Sequence, residues 1–265
     1  VDGTEGVEAV ARAVLPPPAE ARAARDAGRP HVVGLDGEWV PGGSSPVALW
    51  QVATRDRVFL VDMFAVCGSP GPEGAALRER FAGVTRDLLA APDVVKLGFG
   101  LGNDFARLQG SYPGLDCATG MPKALVVDVR DMALCVLPAR EAGRLRRSGL
   151  AALSRAVLGK RLDKAQQCSN WAARPLSEAQ VRYAAADAHC LPRLFDALAA
   201  RNPGVLRELG ALAEPGGRRP VMGRTPHERR GTRRERRAER EALARARHPP
   251  KRRTLSGVGG AAHNG

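Results

Sequence analysis

Short apolar runs dominate the first half of the chain. Runs rich in Val and Leu that end in a polar residue or a turn predict buried strands. Five such runs occur, at residues 31–36, 47–53, 58–62, 94–99 and 125–129. The first run ends in Asp36, and the Gly- and Ser-rich stretch 41–46 predicts a turn before the second strand.

Helices are predicted between and after these strands. Apolar residues recur at helical spacing in four segments, 73–91, 101–109, 130–137 and 149–158. Ser177, with Gln180 three residues later, matches a capping box, so a long helix is expected from there to about Ala200, kinked by Pro192. Strands that come first and then alternate with helices predict an α/β fold, a mixed sheet flanked by helices.

Two segments lack such a pattern. Residues 1–29 are Ala-rich and are broken by three prolines at 16–18, so they predict a linker or the remnant of a preceding region, with room for a short helix. Residues 203–265 predict a basic, largely disordered tail, because apolar residues almost vanish from Gly216 onward. The intervening residues 30–202 are expected to form the folded domain.

The charge of the chain is concentrated near its end. The formal net charge is +13, and residues 216–253 hold 15 Lys/Arg against 4 Asp/Glu, a net of +11. A polyanion such as nucleic acid is the expected partner of this segment. An equally weighted interpretation of the segment is a solvated tail that has no specific partner.

The cysteines and the hydropathy exclude some classes of protein. Five widely spaced cysteines, without a CxxC pair or histidines at zinc spacing, are typical of reduced thiols in an intracellular protein. Nucleus and cytoplasm both remain open. No apolar run approaches the roughly 18 residues of a membrane span, so no membrane partner is expected.

Acidic residues stand at the ends of several predicted elements. Asp36 and Glu38 are two residues apart at the end of a strand and therefore project from one face. Asp104 falls in the first turns of a helix, while Tyr183 and Asp187 share one face of the last helix. Each has an ordinary explanation alone, such as a solvated strand end or an acid that complements a helix dipole. Their order along the chain is what points to a site.

In this order the residues resemble the three motifs of the DEDD exonucleases. The motifs are Asp36-Gly37-Glu38, the segment 98–104 that ends in Asp104, and the segment 183–187. A tyrosine four residues before the last aspartate resembles the tyrosine subtype, since the histidine subtype would need His at position 182, which is Arg.

The resemblance extends beyond the motifs to about residues 30–200. The run from Gly149 to Leu176, including Ser169-Asn170-Trp171, resembles RNase D relatives. The sequence of residues 163–188 is most similar to that of the exonuclease mut-seven homologues, the Nibbler-like proteins.

This resemblance implies a ribonuclease-H-like five-stranded sheet and a metal-dependent 3′–5′ exonuclease. The substrate would be single-stranded nucleic acid, RNA rather than DNA, and the products nucleoside 5′-monophosphates. Four clustered carboxylates repel one another, and two hard divalent cations, Mg²⁺ or Mn²⁺, would relieve that repulsion. Asp36, Glu38 and Asp187 would hold one ion, Asp36 and Asp104 the second, partly through water, and Tyr183 would orient the attacking water.

Candidate substrate contacts lie in two further segments. Lys164 and Gln167 precede the last helix and are expected to contact the substrate backbone, with a plain surface loop as the equal alternative. In this family, a residue that follows the first motif often contacts the terminal base of the substrate. Leu49, Trp50 and Gln51 occupy that region, and Trp50 is our candidate, although the residues do not fix which one points inward.

Two other functions remain open at this point. One is a catalytically weak nucleic-acid-binding module that acts through the basic tail, although the intact set of acids favours the exonuclease. The other, a ribonuclease-H-type endonuclease or transposase, lacks support from the spacing of Tyr183 and Asp187. One residue departs from the family pattern, because Gly37 stands where a β-branched or larger residue is usual and adds backbone freedom.

Overall fold

A computed structural model describes residues 1–115 and 124–207 of the chain. The predicted tail therefore lies outside the described residues from position 208 onward. Each predicted apolar run contains a strand, because Val and Leu suit a pleated, buried surface. The strands are β1 (His31–Glu38), β2 (Leu49–Ala53), β3 (Val58–Asp62), β4 (Val94–Gly98) and β5 (Val126–Asp128).

The strands form one mixed five-stranded sheet, as predicted, and their order in it is β3-β2-β1-β4-β5. β2 is antiparallel to both β1 and β3, whereas β4 is parallel to β1 and β5 is parallel to β4. β1, β3, β4 and β5 therefore all end at the same edge of the sheet, which we call the carboxyl edge.

Helices cover both faces of this sheet. A short 3-10 turn occupies Pro113–Leu115, and none of the described helices is long and apolar enough to cross a membrane. The helices are α1 (Thr4–Val14), α2 (Pro18–Asp26), α3 (Met63–Gly68), α4 (Gly71–Ala90), α5 (Leu101–Ser111), α6 (Val129–Val136), α7 (Ala139–Leu145), α8 (Leu150–Leu158) and α9 (Glu178–Arg201).

The side chains of β1 point alternately into two separate hydrophobic cores. Val33 and Leu35 belong to a cluster with apolar residues of α1, α4 and α5. Val32 points the other way, into a cluster with residues of α6, α8 and α9. Burial on both faces explains why the strands appear in the sequence as nearly continuous apolar runs.

The prediction of a linker over residues 1–29 is wrong, because α1 and α2 lie there and pack on the domain. Val7, Val10 and Val14 of α1 are at most 2% exposed and belong to the same core cluster as β1. Asp93 receives a charged hydrogen bond of 2.6 Å from Arg25 of α2. The first two helices are thus part of the folded domain.

Helix α9 packs directly against β1. Its start has the predicted capping box, with Ser177 Oγ accepting from the Gln180 amide. Pro192 within the helix has no N–H, so the Ala188 carbonyl lacks its usual partner four residues on. A Cβ at Gly34 would lie 2.8 Å from that carbonyl oxygen, so the absence of a side chain there permits the approach.

Candidate active site

Three carboxylates meet at the carboxyl edge of the sheet. β1 contributes Asp36 and Glu38, and α9 contributes Asp187. Oxygen atoms of all three lie within 4.8 Å of one another. Glu38 and Asp187 are buried and Asp36 is partly buried, so little water separates the charges.

Asp104 lies beside this group, not within it. It sits in the first turn of α5, and the N-cap residue before that helix, Gly100, has a left-handed conformation with φ of +75°. Its Oδ1 atom is 3.7 Å from where a Cβ of Gly37 would stand, so it lies next to the first motif. The structure therefore brings all four predicted acids to one edge of the sheet.

Asp128, at the end of β5, fixes the start of α5. Its Oδ2 atom accepts from the Gly100 amide and its Oδ1 atom from the Arg130 amide, both at 2.8 Å. The Asp128 charge also helps to raise the pKa of Asp104. Asp128 thus contributes to the site through backbone contacts, as a cap of the type that strand-to-helix turns use.

Burial raises the pKa of every acid in the group, and repulsion between the carboxylates adds to the rise at Asp36 and Glu38. Burial, followed by the charges of Asp104 and Asp187, raises the pKa of Asp36 to about 8. Burial and the Asp36 charge raise that of Glu38 to about 9, and burial raises that of Asp104 to about 6. The pKa of Asp187 is raised by burial and partly lowered by Lys164. Such a group binds either protons or cations at neutral pH.

The donor set fits a hard divalent cation. All the candidate ligand atoms are carboxylate oxygens, which Mg²⁺ and Mn²⁺ prefer over softer metals. In addition, the buried Oδ1 atom of Asp187 has no hydrogen-bond partner within residues 1–115 and 124–207. A buried carboxylate oxygen without a donor is suited to receive a metal ion.

Lys164 reaches into this acidic group from the loop between α8 and α9. Its Nζ atom lies 2.6 Å from Asp187 Oδ2 and 3.5 Å from the Tyr183 hydroxyl. Gln167, the other predicted contact in this loop, is exposed, and its backbone N–H donates to the backbone carbonyl of Lys164. The structure thus places Lys164 at the site, but places the Gln167 side chain at the surface.

Tyr183 is held by packing behind its ring. Its ring centroid lies 5.8 Å from that of the fully buried Trp171. Burial and the Asp187 charge raise the pKa of the Tyr183 phenol further above its ordinary value. The hydroxyl therefore stays protonated and acts as a hydrogen-bond donor.

Arg174 anchors the loop that carries Lys164 and Trp171. Its guanidinium pairs with the Asp62 carboxylate at the end of β3. It also donates to the carbonyls of Trp171 and Ala48, both at 2.8 Å. These contacts tie the loop to the neighbouring strands and so position the residues between α8 and α9.

Trp50 does not face the site, contrary to the sequence-based choice. It pairs with Gly37 across β1 and β2, is 2% exposed, and packs near Phe105 in the core. Gln51 pairs with Asp36 instead, and its Nε2 atom is 3.5 Å from Glu38 Oε1. The antiparallel register was the missing information, because it decides which residue shares the face of the acids.

Two arginine–aromatic pairs lie near the acids and were missed by sequence reasoning. The Arg107 guanidinium lies 5.0 Å from the ring centroid of Trp39, which follows Glu38 directly. The Arg130 guanidinium lies 4.1 Å from that of Phe99, which follows β4. Neither pair can be recognised in the sequence, because its two residues lie in different parts of the chain.

Comparison with known proteins agrees with this geometry. The pattern of the 3′–5′ exonuclease family matches residues 18–201. The human exonuclease mut-7 homolog is 41% identical over 200 residues, which cover 72% of this chain and 22% of that protein. A ribonuclease D from Gluconacetobacter diazotrophicus is 33% identical over 183 residues, or 66% of this chain and 39% of that protein.

A solved structure shares the fold. The crystal structure of the Aedes aegypti Nibbler EXO domain is 29% identical and superposes with a TM-score of 0.55, covering 74% of this chain and 92% of that one. The match covers only 22% of the human relative, so this chain spans about a fifth of the length of that protein. The family match nevertheless covers well over half of the chain. The chain therefore belongs to the 3′–5′ exonuclease family, as an RNase D-like member.

Proposed function

We propose that this chain hydrolyses phosphodiester bonds from the 3′ end of single-stranded nucleic acid, RNA in preference to DNA, and releases nucleoside 5′-monophosphates. The observation that carries this proposal is the meeting of Asp36, Glu38 and Asp187 within 4.8 Å. Asp104 and Tyr183 beside them complete the family's set of residues. The preference for RNA rests on the similarity to a ribonuclease D.

The four acids would hold two divalent cations, Mg²⁺ or Mn²⁺. Asp36, Glu38 and Asp187 form one set of ligands, and Asp36 together with Asp104 forms the other. When bound, the ions would supply an activated water and stabilise charge on the attacking and leaving oxygens. The four negative charges of the acids match the four positive charges of two such ions.

The remaining residues position the reactants. Tyr183, kept protonated by its raised pKa, donates a hydrogen bond that orients the attacking water, and does not act as the base. Gln51 holds the Glu38 carboxylate in place through its amide. Lys164 contacts the phosphate next to the reacting bond, and the exposed Gln167 contacts the strand further along its backbone.

The decisive experiment is a matched digestion series. Single-stranded RNA and DNA of one sequence, labelled at either end, are incubated with Mg²⁺, Mn²⁺ or EDTA. Stepwise shortening from the 3′ end with release of 5′-monophosphates, faster on RNA and absent in EDTA, is the expected result. Normal strand binding without any shortening would refute the exonuclease, and cleavage of a circular strand would point to an endonuclease.

The basic segment favours a second function, sequence-independent binding of nucleic acid. Residues 216–253 carry a net charge of +11. Each phosphate contact on a single strand contributes about 0.7 to the slope of log affinity against log salt concentration. Deletion of residues 216–265 should therefore weaken strand binding and flatten its salt dependence. Unchanged affinity and slope would identify the segment as a solvated extension.

A further inference from the structure

The ammonium group of Lys164 already occupies part of the acidic group. It lies 2.6 Å from Asp187 Oδ2, and about a third of the lysine side chain is exposed, 32%, against 5% of the Asp187 side chain. Asp187 is also one of the three carboxylates that stand within 4.8 Å of one another. A lysine and a metal ion would therefore draw on the same carboxylate.

The lysine engages only one side of that carboxylate. Oδ2 accepts from Lys164, whereas Oδ1 is buried and has no hydrogen-bond partner in the described part of the chain. Asp187 is a buried residue in the middle of α9, whereas Lys164 lies on a loop and has a flexible four-carbon stem. Any rearrangement on metal binding falls to the lysine.

A charge count shows what such a rearrangement would achieve. Four carboxylates carry −4, and two divalent cations cancel that charge. The ammonium of Lys164 adds a charge of +1 to this neutral set, and that charge repels the metal ions until an anion binds. The phosphodiester at the reacting bond carries −1 and cancels the excess, so the metal ions, Lys164 and the strand are balanced only when all are present.

We propose that Lys164 is a tethered counter-cation, which competes with the metal for Asp187 in the free protein and moves to a substrate phosphate when metal and strand bind together. The proposal rests on the proposed function and adds a coupling to it. In the free protein Lys164 holds Asp187 in place through its ion pair, and it weakens metal binding. With the strand bound, the same ammonium pairs with the phosphate and no longer competes with the metal for Asp187.

Binding measurements on the full chain test this coupling. The affinity for Mn²⁺ is measured by calorimetry without nucleic acid. Strand affinity is measured with an oligonucleotide whose 3′-terminal linkage is an uncleavable, negatively charged phosphonate. Lys164→Met removes the ammonium and Lys164→Gln replaces it with a neutral donor. Lys160→Met, in an exposed lysine of the same loop, is the matched control.

The two affinities should move in opposite directions. Both Lys164 variants should bind Mn²⁺ about tenfold more tightly in the free state, because a charge-assisted hydrogen bond no longer competes. Both should bind the strand several-fold more weakly, with a salt slope lower by about 0.7. Lys164→Arg, which keeps the charge, should leave the Mn²⁺ affinity close to that of the parent, and Lys160→Met should change neither affinity.

The outcomes separate this proposal from the one on which it rests. A folded Lys164→Met protein that binds Mn²⁺ no more tightly than the parent overturns the counter-cation role, and so does tighter Mn²⁺ binding by Lys164→Met but not by Lys164→Gln. If the parent protein neither binds Mn²⁺ nor shortens a strand, the proposed function itself fails. Melting temperatures of all variants show whether the exposed loop tolerates each change.

Discussion

The indole ring of Trp50 lies over Gly37 and fills the space that a side chain would need. A Cβ at Gly37 would come within 3.1 and 3.2 Å of two ring carbons. The glycine that departs from the family pattern is thus paired with a large residue on the neighbouring strand. Its role is to make room for the core, and the ring limits the backbone freedom that a glycine would otherwise add.

Replacement of Gly37 with valine should destabilise the protein. The branched side chain would collide with the indole, and overpacking of this kind costs about 1–3 kcal/mol. Urea unfolding of Gly37→Val gives the loss directly. A second change, Trp50→Leu, should recover part of it, whereas Gly43→Val, at an exposed glycine with nothing within 4 Å, should cost little. Equal losses at both glycines would contradict the pairing.

Replacement of Asp36 with asparagine should abolish cleavage and leave the fold intact. Asp36 belongs to both proposed ligand sets, and metal ions contribute several kcal/mol to such reactions, so the rate should fall at least about a hundredfold. Single-turnover digestion measures the rate. Asp87→Asn, at an exposed carboxylate on α4, is the control and should retain full activity.

The metal-free protein should lose stability as the pH rises. The folded-state pKa values of Asp36, Glu38 and Asp104, about 8, 9 and 6, lie above their ordinary values. The folded protein therefore binds more protons than the unfolded one, and the associated stability, complete at low pH, is lost between about pH 4 and 9. Urea unfolding in EDTA at a series of pH values should show this decline.

The same series carries its own checks. Asp36→Asn should have a shallower decline, since it removes one of the three groups and much of their repulsion. Mg²⁺ should raise the melting temperature more at pH 8 than at pH 5.5, because metal and protons compete for the carboxylates. A stability that rises steadily from pH 5 to 8 in EDTA would contradict the raised pKa values.

Replacement of Tyr183 with phenylalanine should slow hydrolysis without disturbing the metal site. The ring would still pack against Trp171, so only the hydroxyl that we propose orients the water is lost. A loss of about a hundredfold in kcat is expected for a group that positions a reactant and assists proton movement. Mn²⁺ affinity should stay within about twofold. Unchanged kcat would show that the hydroxyl has no part in the reaction.

Replacement of Val10 with alanine should destabilise the domain through its first helix. Val10 is buried in the main core, so the lost methyl groups and the cavity should cost about 2 kcal/mol, while kcat at low temperature stays the same. Glu5→Ala, at an exposed position of the same helix, should cost much less. Equal stability of both variants would mean that α1 is not integral to the fold.

The sheet and the acids were accessible from the sequence because each has a local signal. The run before Asp36 is apolar enough to define a buried strand, and a strand places Asp36 and Glu38 on one face. The four-residue spacing of Tyr183 and Asp187 does the same on a helix. Their order along the chain, together with a family resemblance, then linked these residues to one site, and in the structure Asp36, Glu38 and Asp187 lie together.

Other features depend on partners far away in the sequence. Lys96 interrupts an apolar run, yet its side chain is fully buried, because its ammonium donates to the carbonyls of Ala91 and Val94. Burial lowers its pKa to about 7. The apolar stripe of α1 was likewise hidden among alanines. Its significance appears only once β1 and α4 supply a surface against which it packs.

Gly34 has no functional group, yet it sets the distance between the two halves of the proposed metal site, β1 and α9. The carbonyl of Ala188, next to Asp187, rests where a side chain of Gly34 would be, two residues before Asp36. A single added methyl group would push α9 outward and carry Asp187 away from Asp36 without altering any ligand. The size of the residue at position 34 therefore sets this spacing, and graded substitutions there offer a way to tune the separation of the two proposed metal ions from beneath the site.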